Sequence, residues 1–356
     1  MEKFRDTYAL VNLQHLIDNA KYIHSKSNKQ MMAIVKANAY GHGSVQVAEV
    51  LQKLDFVTMF GVATLGEGIE LRLQGITKDI LVLGATRLED AKLASNYNIS
   101  ISVFSIEFAR ELEKIELTKP LKLHIKLDTG MNRIGLKGKN QFEEVLEILS
   151  HNSKLMVEGV FTHYGAADEL NHTYDEQFNQ YKTILKDYKF KYMHAANTAG
   201  ALYHQEDFTN MVRAGIALYG IEPNGNEITP LKQVMTLKTR VVMVKEIKKG
   251  ERVGYGFTYR ANKDCCIATV PIGYADGIIR KNQNRFVAIN DHFYQIVGRV
   301  CMDQMMIKVD ENVKLGDEVE IFGEQISLKQ MAKELDTIPY EILVLLSLRV
   351  ARVYVY

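Results

Sequence analysis

Residues 121–128 read LKLHIKLD. Apolar and polar side chains alternate without a break, which is the period of a β-strand whose two faces meet different surroundings. Leu121, Leu123, Ile125 and Leu127 share one face, and Lys122, His124, Lys126 and Asp128 share the other. Similar β-like runs flank this one. MMAIVKAN (from Met31), MFGVAT (from Met59), ILVLGAT (from Ile80) and ISISVFS (from Ile99) precede it. LMVEGVFTHY (from Leu155), KYMHAANT (from Lys191) and MVRAGIALYG (from Met211) follow. Between them lie segments with helical apolar spacing, such as Val45–Leu54, Phe108–Ile115, Phe142–Leu149 and Phe178–Leu185. Strand and helix in alternation imply a parallel sheet. Eight such strands in about 200 residues imply a (β/α)8 barrel of the TIM type. A doubly wound open sheet is the alternative, and the count of eight favours the barrel. In that barrel the apolar face of 121–127 turns to the helices, so Lys126 and Asp128 point inward near the top.

Beyond Pro223 the pattern changes. GNEITPLKQV is turn-like, and long β-rich runs follow at Val234–Ile247, Ile267–Ile272, Phe286–Ile289, Tyr294–Val300, Met305–Val309 and Glu318–Phe322. Asn290-Asp291 and Lys314-Leu315-Gly316 carry turn signals. A helix is expected after Ser327 as its cap, with Gln330 at the capping-box position. This region is expected to be a mostly antiparallel β domain. The division is expected at 1–225 for the barrel and 226–356 for the β domain, with residues 1–12 pairing with the latter.

The 356 residues fit two domains, and 47% hydrophobic with 24% charged residues is an ordinary globular balance. Lys+Arg 44 against Asp+Glu 43 leaves no electrostatic footprint for nucleic acid or an anionic membrane. The three cysteines, two of them adjacent at Cys265-Cys266, form no disulfide framework, which favours the cytoplasm. MEKFRDTYALVNLQ lacks the unbroken apolar core of a secretory signal, and no apolar run is long enough to span a membrane. No Cys or His spacing matches a zinc site, so no metal is expected.

In such a barrel the catalytic groups lie at the C-terminal ends of the strands. There the first strand delivers Lys36, followed by Tyr40 in a glycine-bracketed loop. The fifth delivers Lys126 and Asp128, with Arg133 close behind. The sixth gives His163, the seventh His194 and Asn197, and the eighth Arg213. Each has a plain structural alternative: a core histidine, a capping asparagine, a surface arginine. Their shared address favours an active site. A lysine in a dry pocket has a lowered pKa and can form Schiff bases. The Ala214-Gly215-Ile216 turn after the eighth strand, with Asn197-Thr198 after the seventh, suits a phosphate bound by backbone N–H groups.

IVKANAYGHG, from Ile34, resembles the cofactor-attachment motif of the alanine racemase family. HIKLDTGMNRIGL, VEGVFTHYGAAD, HAANTAG, MVRAGIALYG, GYGFTY, VPIGYADG, VGRVCMDQMMI, GDEV and RVARVY match that family in order over essentially the whole chain. The resemblance implies an N-terminal barrel with a C-terminal β domain, pyridoxal 5'-phosphate as cofactor, an amino-acid substrate, and a homodimer in which each subunit completes the other's site. It implies that Lys36 holds the cofactor through an imine and acts as one base, and that Tyr255 from the partner subunit is the other. Arg213 would contact the pyridine nitrogen, and His163 would link Arg213 to Tyr255. Arg133 would touch the cofactor and the substrate carboxylate, which the Met302 backbone N–H also meets. Tyr40, Asn197, Thr198, Gly215, Ile216 and Tyr354 would bind the cofactor, and Lys126 matches a lysine that is often carbamylated. A biosynthetic role, supplying D-alanine for the bacterial cell wall, is the family default.

The departures are few. Thr198 stands where serine is common, and Ala351 replaces a usual proline in a segment that differs from the common pattern, which bears on the placement of Tyr354. Three other functions share these features: a serine or broad-specificity racemase of the same family, a pyridoxal-phosphate decarboxylase on the same barrel, and a non-catalytic cofactor-binding protein. Decarboxylases of this fold place a glutamate at the pyridine nitrogen, so Arg213 argues against them.

Overall fold

The computed structural model describes residues 5–169, 172–224 and 229–356. The boundary expected at 225/226 lies outside the described residues. Two compact units emerge. One comprises Leu16–Ala39 and Gly43–Lys232; the other comprises the described residues up to His15, Tyr40–His42 and Gln233–Tyr356.

The first unit is a closed parallel barrel. Its strands, numbered after an N-terminal β1 (Tyr8–Asn12), are β2 (Gln30–Ile34), β3 (Val57–Val62), β4 (Asp79–Val82), β5 (Ser100–Val103), β6 (Leu121–Lys126), β7 (Leu155–Phe161), β8 (Tyr192–His194) and β9 (Met211–Ala214). β9 pairs with β2 and closes the ring. Each of the eight barrel strands overlaps one of the runs read from sequence, although β2, β3 and β4 begin one or two residues before theirs. The four named helical segments also correspond to helices, each starting one to five residues earlier than expected: Ser44–Leu51, Ile106–Glu113, Gly138–Ser150 and Thr173–Leu185. Register positions the chemistry. Lys126 on β6 lies beside Phe161 on β7, and Phe161 beside His194 on β8. One row of the barrel wall therefore carries a lysine, an aromatic ring and an imidazole.

Several runs end sooner as strands than expected, and the first of them matters most for the site. The run from Met31 ends as a strand at Ile34, and the chain beyond it adopts a conformation that strand propensity does not encode.

The second unit is built on a nine-stranded sheet. Its remaining strands are β10 (Met235–Arg240), β11 (Met243–Ile247), β14 (Cys265–Val270), β15 (Phe286–Ile289), β16 (His292–Val297), β17 (Met305–Val309), β18 (Glu318–Phe322) and β19 (Ala351–Val355). A separate ribbon pairs β12 (Arg252–Val253) with β13 (Tyr259–Arg260). The sheet order is β11-β14-β17-β16-β15-β18-β10-β1-β19, antiparallel except where β1 meets β19. Ile247, Val253, Ala261, Ile267 and Val297 form a core beneath its edge.

Two details differ from the sequence reading. Val234–Ile247 is two strands, because the chain changes neighbours: Val241 N–H donates to Asp317 O and Val242 N–H to Thr269 O, both at 2.9 Å. Ser327 caps the helix Leu328–Leu335 by accepting from Gln330 N–H, but the Gln330 amide turns to Glu334 at 2.9 Å, so the box does not close. No helix among the described residues is long and apolar enough to cross a membrane. No cluster of His, Cys, Asp or Glu among them could hold a metal.

Candidate active site

Arg213 is buried inside the barrel at 4% exposure, and it forms no ion pair with a carboxylate among the described residues. Its donors go elsewhere. Nη2 donates to Thr162 O and Ala195 O, both at 2.7 Å, and to His163 Nδ1 at 3.1 Å. Nη1 donates to His194 O and His194 Nδ1, both at 3.0 Å. The guanidinium is thus fixed by three carbonyls and two imidazoles. Burial lowers its pKa to about 10, with Tyr164 and Glu206 opposing, so it is still a cation at neutral pH.

These bonds also set the histidine tautomers. An arginine N–H can only donate, so both Nδ1 atoms accept and both rings carry their proton on Nε2. His194 Nε2 then faces His124 Nδ1 at 3.0 Å. Burial, then Arg213, hold His163 and His194 well below the usual histidine value. The sequence reading foresaw His163 and His194 but not His124 as the third ring of the chain. His124 lies on the polar face of the strand that first announced the barrel.

Lys126 and Arg213 share Phe161. Lys126 Nζ stands 5.5 Å and Arg213 Cζ 5.6 Å from its ring centroid. Burial, then Arg133 and Arg213, lower the Lys126 pKa to about 8. Arg133 itself is exposed and forms no hydrogen bond or ion pair among the described residues.

Lys36 follows the end of β2. Its pKa falls through burial and then through Arg133, with Glu67 acting against them. The four residues after it, Ala37 to Tyr40, all have φ of 52–53°. This is a left-handed turn made without glycine. Each such residue costs roughly 1–2 kcal/mol, so the surroundings must impose it. Glu67 does part of this: Oε1 accepts from Ala37 N–H and Oε2 from Ala63 N–H, both at 2.7 Å. Asn38 does another part, its Oδ1 accepting from Ser44 N–H at 2.9 Å. Nothing in KANAY signals this turn in sequence, because every residue in it prefers another conformation. Glu67 was missed for the same reason: locally it is a helix-capping residue, closing a box with Thr64.

The two turns expected to seat the phosphate, at Thr198 and at Gly215-Ile216, lie in the barrel unit. Thr198 Oγ1 accepts from Gly215 N–H at 3.0 Å, which ties the turn after β8 to the turn after β9. The N–H groups of Thr198 and Ile216 donate to no described acceptor, although both residues are buried. Asn197 does something different. Its Oδ1 accepts from Gly200 N–H at 3.0 Å, so the side chain caps the helix Thr198–Tyr203.

The other candidates belong to the sheet unit. Tyr40 is buried, and its ring tilts against Tyr340 at 5.9 Å. Tyr354 OH donates to His42 O at 3.2 Å, and Arg352 Nε to Gly41 O at 2.8 Å. Gly41 has φ +83°, and a Cβ there would stand 2.3 Å from Leu343 O, so only glycine fits. Tyr255, between Gly254 and Gly256, is 71% exposed, and Met302 is 52% exposed.

A closed β/α barrel with desolvated lysines and a buried arginine at its strand ends, and spare amide donors on two adjacent turns, has the features of an enzyme of the barrel class. Residues 11–223 match the family model "Alanine racemase, N-terminal domain", and residues 234–354 match "Alanine racemase, C-terminal domain". Alanine racemase of Staphylococcus epidermidis is 39% identical, the match covering 100% of this chain and 96% of that protein. Alanine racemase of Bacillus anthracis with bound L-Ala-P is 37% identical, covers 100% and 96% of the two chains, and superposes with a TM-score of 0.94. Histidine racemase of Leuconostoc mesenteroides is 30% identical, covers 100% and 99%, and gives 0.92. The chain belongs to the alanine racemase family, a pyridoxal-phosphate-dependent family, and is a racemase, an isomerase of amino acids.

Proposed function

We propose that the enzyme interconverts L- and D-alanine by two opposed bases, Lys36 of one subunit and Tyr255 of its partner in a homodimer. The observation that carries this is Arg213, held in the barrel by three carbonyls and two imidazoles. The residues present fit pyridoxal phosphate: a desolvated lysine for its aldehyde, an arginine for its ring nitrogen, and the N–H groups of Thr198 and Ile216 for its phosphate. When bound, the cofactor acidifies the substrate Cα–H by spreading carbanion charge into its ring.

The protein's part is to bind, orient and move protons. Arg213 stays protonated and gives no proton to the ring nitrogen, which keeps the electron sink weak and limits side reactions such as transamination. Neutral Lys36 Nζ takes or returns the Cα proton on one face. The Tyr255 phenolic oxygen does so on the other, which inversion requires. His163, neutral and bonded to Arg213, is the positioning residue between that arginine and Tyr255. Arg133 and the Met302 N–H receive the substrate carboxylate, and Lys126, once carbamylated and so anionic, steadies Arg133. Tyr40, Asn197, Gly215 and Tyr354 complete the cofactor site. Exposed Tyr255, Phe257, Tyr274 and Met302 on the sheet unit support the shared-site dimer, since apolar groups left open on one chain favour a second.

On this reading, residues 1–225 bind the cofactor and 226–356 complete the partner's site. The enzyme is cytoplasmic and supplies D-alanine for the cell wall. The similarity to a histidine racemase favours testing a wider substrate range. The test is a coupled assay of L- and D-alanine formation with added pyridoxal phosphate, run beside serine and histidine. Alanine is expected to be the best substrate. Retention of the alanine Cα proton in heavy water would sink the proposal.

A further inference from the structure

Asp276 is a carboxylate with no exposed surface, in a turn the proposed chemistry does not use. It is held from several directions. Arg5 grips it with two bonds, Nη1 to Oδ1 at 2.7 Å and Nη2 to Oδ2 at 3.1 Å. Arg349 Nε stands 3.5 Å from Oδ1. Gly273 N–H donates to Oδ2 at 3.0 Å, which closes the turn Tyr274–Asp276 upon itself. Ser347 N–H donates to the Asp276 carbonyl at 3.1 Å.

That turn is in contact with Cys301-Met302. Tyr274 N–H donates to Cys301 O and Ala275 N–H to Met302 O, both at 3.0 Å. The approach is as close as backbone allows: a Cβ on Gly273 would stand 2.4 Å from both carbonyls. A second tie reaches the next residue, because Arg349 Nη2 donates to Asp303 at 2.7 Å. The Met302 carbonyl is thus fixed by the turn, and Asp303 by the arginine that also faces Asp276. The Met302 N–H, between the Cys301 and Met302 carbonyls that the turn holds, donates to no described acceptor. A fixed, unused amide donor is a carboxylate receptor, because it pays no reorganisation when the anion arrives.

We infer that Asp276 is a positioning residue for substrate: it clamps the 273–277 turn against Met302 and so aims the Met302 N–H at the carboxylate of the incoming amino acid. This rests on the racemase reading above. The neutral isostere Asp276→Asn keeps the shape and removes the charge that gathers both arginines.

The test combines kinetics with a binding readout that needs no turnover. In the holoenzyme, Asp276→Asn is expected to raise the KM for alanine about tenfold with kcat changed less than about threefold. The dissociation constant of propionate, a carboxylate without the amino group, should rise by a similar factor. In enzyme labelled with ¹⁵N-methionine, the Met302 amide signal should move on adding propionate to the wild type and move less in the variant. Should Asp276→Asn fail to fold, Asp303→Asn cuts only the exposed tie to Arg349, and a smaller rise, about threefold in KM, is expected. A Met302 signal indifferent to propionate in the wild type overturns the inference. So does a folded Asp276→Asn enzyme that loses kcat at unchanged KM, or an Asp303→Asn enzyme with unchanged KM and propionate affinity. A wild type that binds propionate at Met302 yet leaves alanine unracemised overturns the functional reading instead and supports the amide receptor.

Discussion

The two units prepare their chemistry in opposite ways. In the barrel, neighbours fix the hydrogen bonds of Arg213 and His163 and shift the pKa values of both and of Lys126. In the sheet unit, Tyr255 and Met302 stand open to solvent. What is fixed there is backbone: Met302 is held through its carbonyl, while its amide is left over. One unit tunes ionisable groups by burial, and the other presents groups on a rigid edge. On the proposed mechanism, a reaction divided this way fails differently according to which unit is damaged.

Lys36→Ala and Tyr255→Phe test that difference most severely. Lys36→Ala is expected to abolish both covalent cofactor attachment, read from the absorption of the imine, and racemisation. Tyr255→Phe is expected to leave attachment intact and to lower kcat by about 10²–10⁴-fold, the usual contribution of a general base. Equal loss of cofactor in both variants would erase the division between the units. An unchanged rate in Tyr255→Phe would remove the second base.

Arg213→Met separates tuning from mere presence. The substitution leaves the carbonyls of Thr162 and Ala195 without the donor Arg213 supplies inside the barrel, while His194 O keeps the Thr162 N–H at 3.3 Å. Each such acceptor costs about 1–3 kcal/mol, so urea unfolding should show a loss of roughly 2 kcal/mol or more. Removing that cation also relieves the depression of His163, whose ring should titrate at higher pH by NMR. A stable variant with unmoved His163 would show that the barrel site is not coupled as described.

Lys126 gives a smaller effect with a definite sign. Its pKa is about 8 in the folded protein and near 10.5 when unfolded. Between those values the unfolded chain binds the extra proton, so this lysine's penalty on folding fades as pH rises from about 8 to 10.5 and is fully present below 8. Lys126→Met should therefore stabilise the protein near pH 7, by about 1–3 kcal/mol, and lose that advantage near pH 10.5. Urea midpoints of both proteins at the two pH values decide it. A constant difference would mean that Lys126 is not desolvated.

The comparison also explains what could be read in advance. Barrel strands advertise themselves, because a strand between helices must be apolar on its outer face, and LKLHIKLD shows this. The strand-end residues followed from the topology alone. The left-handed turn after Lys36 did not, since it is imposed by Glu67 and Asn38 against the preference of Ala37, Asn38 and Ala39. The break at Val241-Val242 was hidden for a related reason. Both residues favour strands, and only the change of partner from β18 to β14 separates β10 from β11. Local chemistry was legible, and conformations enforced from a distance were not.

The hairpin of β15 and β16 is a place in the sheet unit where local and enforced preferences can be set apart with little risk to function. Its turn, Asn290-Asp291, has φ of 49° and 63°, the two positive values of a type I′ turn. Asparagine tolerates this conformation better than aspartate does, and glycine at the second position suits it best. Asp291→Gly should therefore raise stability by a few tenths of a kcal/mol to about 1 kcal/mol and leave racemisation unchanged. The gain is bounded by the bond that Asp291 Oδ1 accepts from Gln325 Nε2 at 3.2 Å, which the variant loses. Loss of stability in the variant would mean that this cross-loop contact outweighs the turn's own preference. The sheet unit, like the segment after Lys36, would then be holding a local conformation by means of a distant side chain.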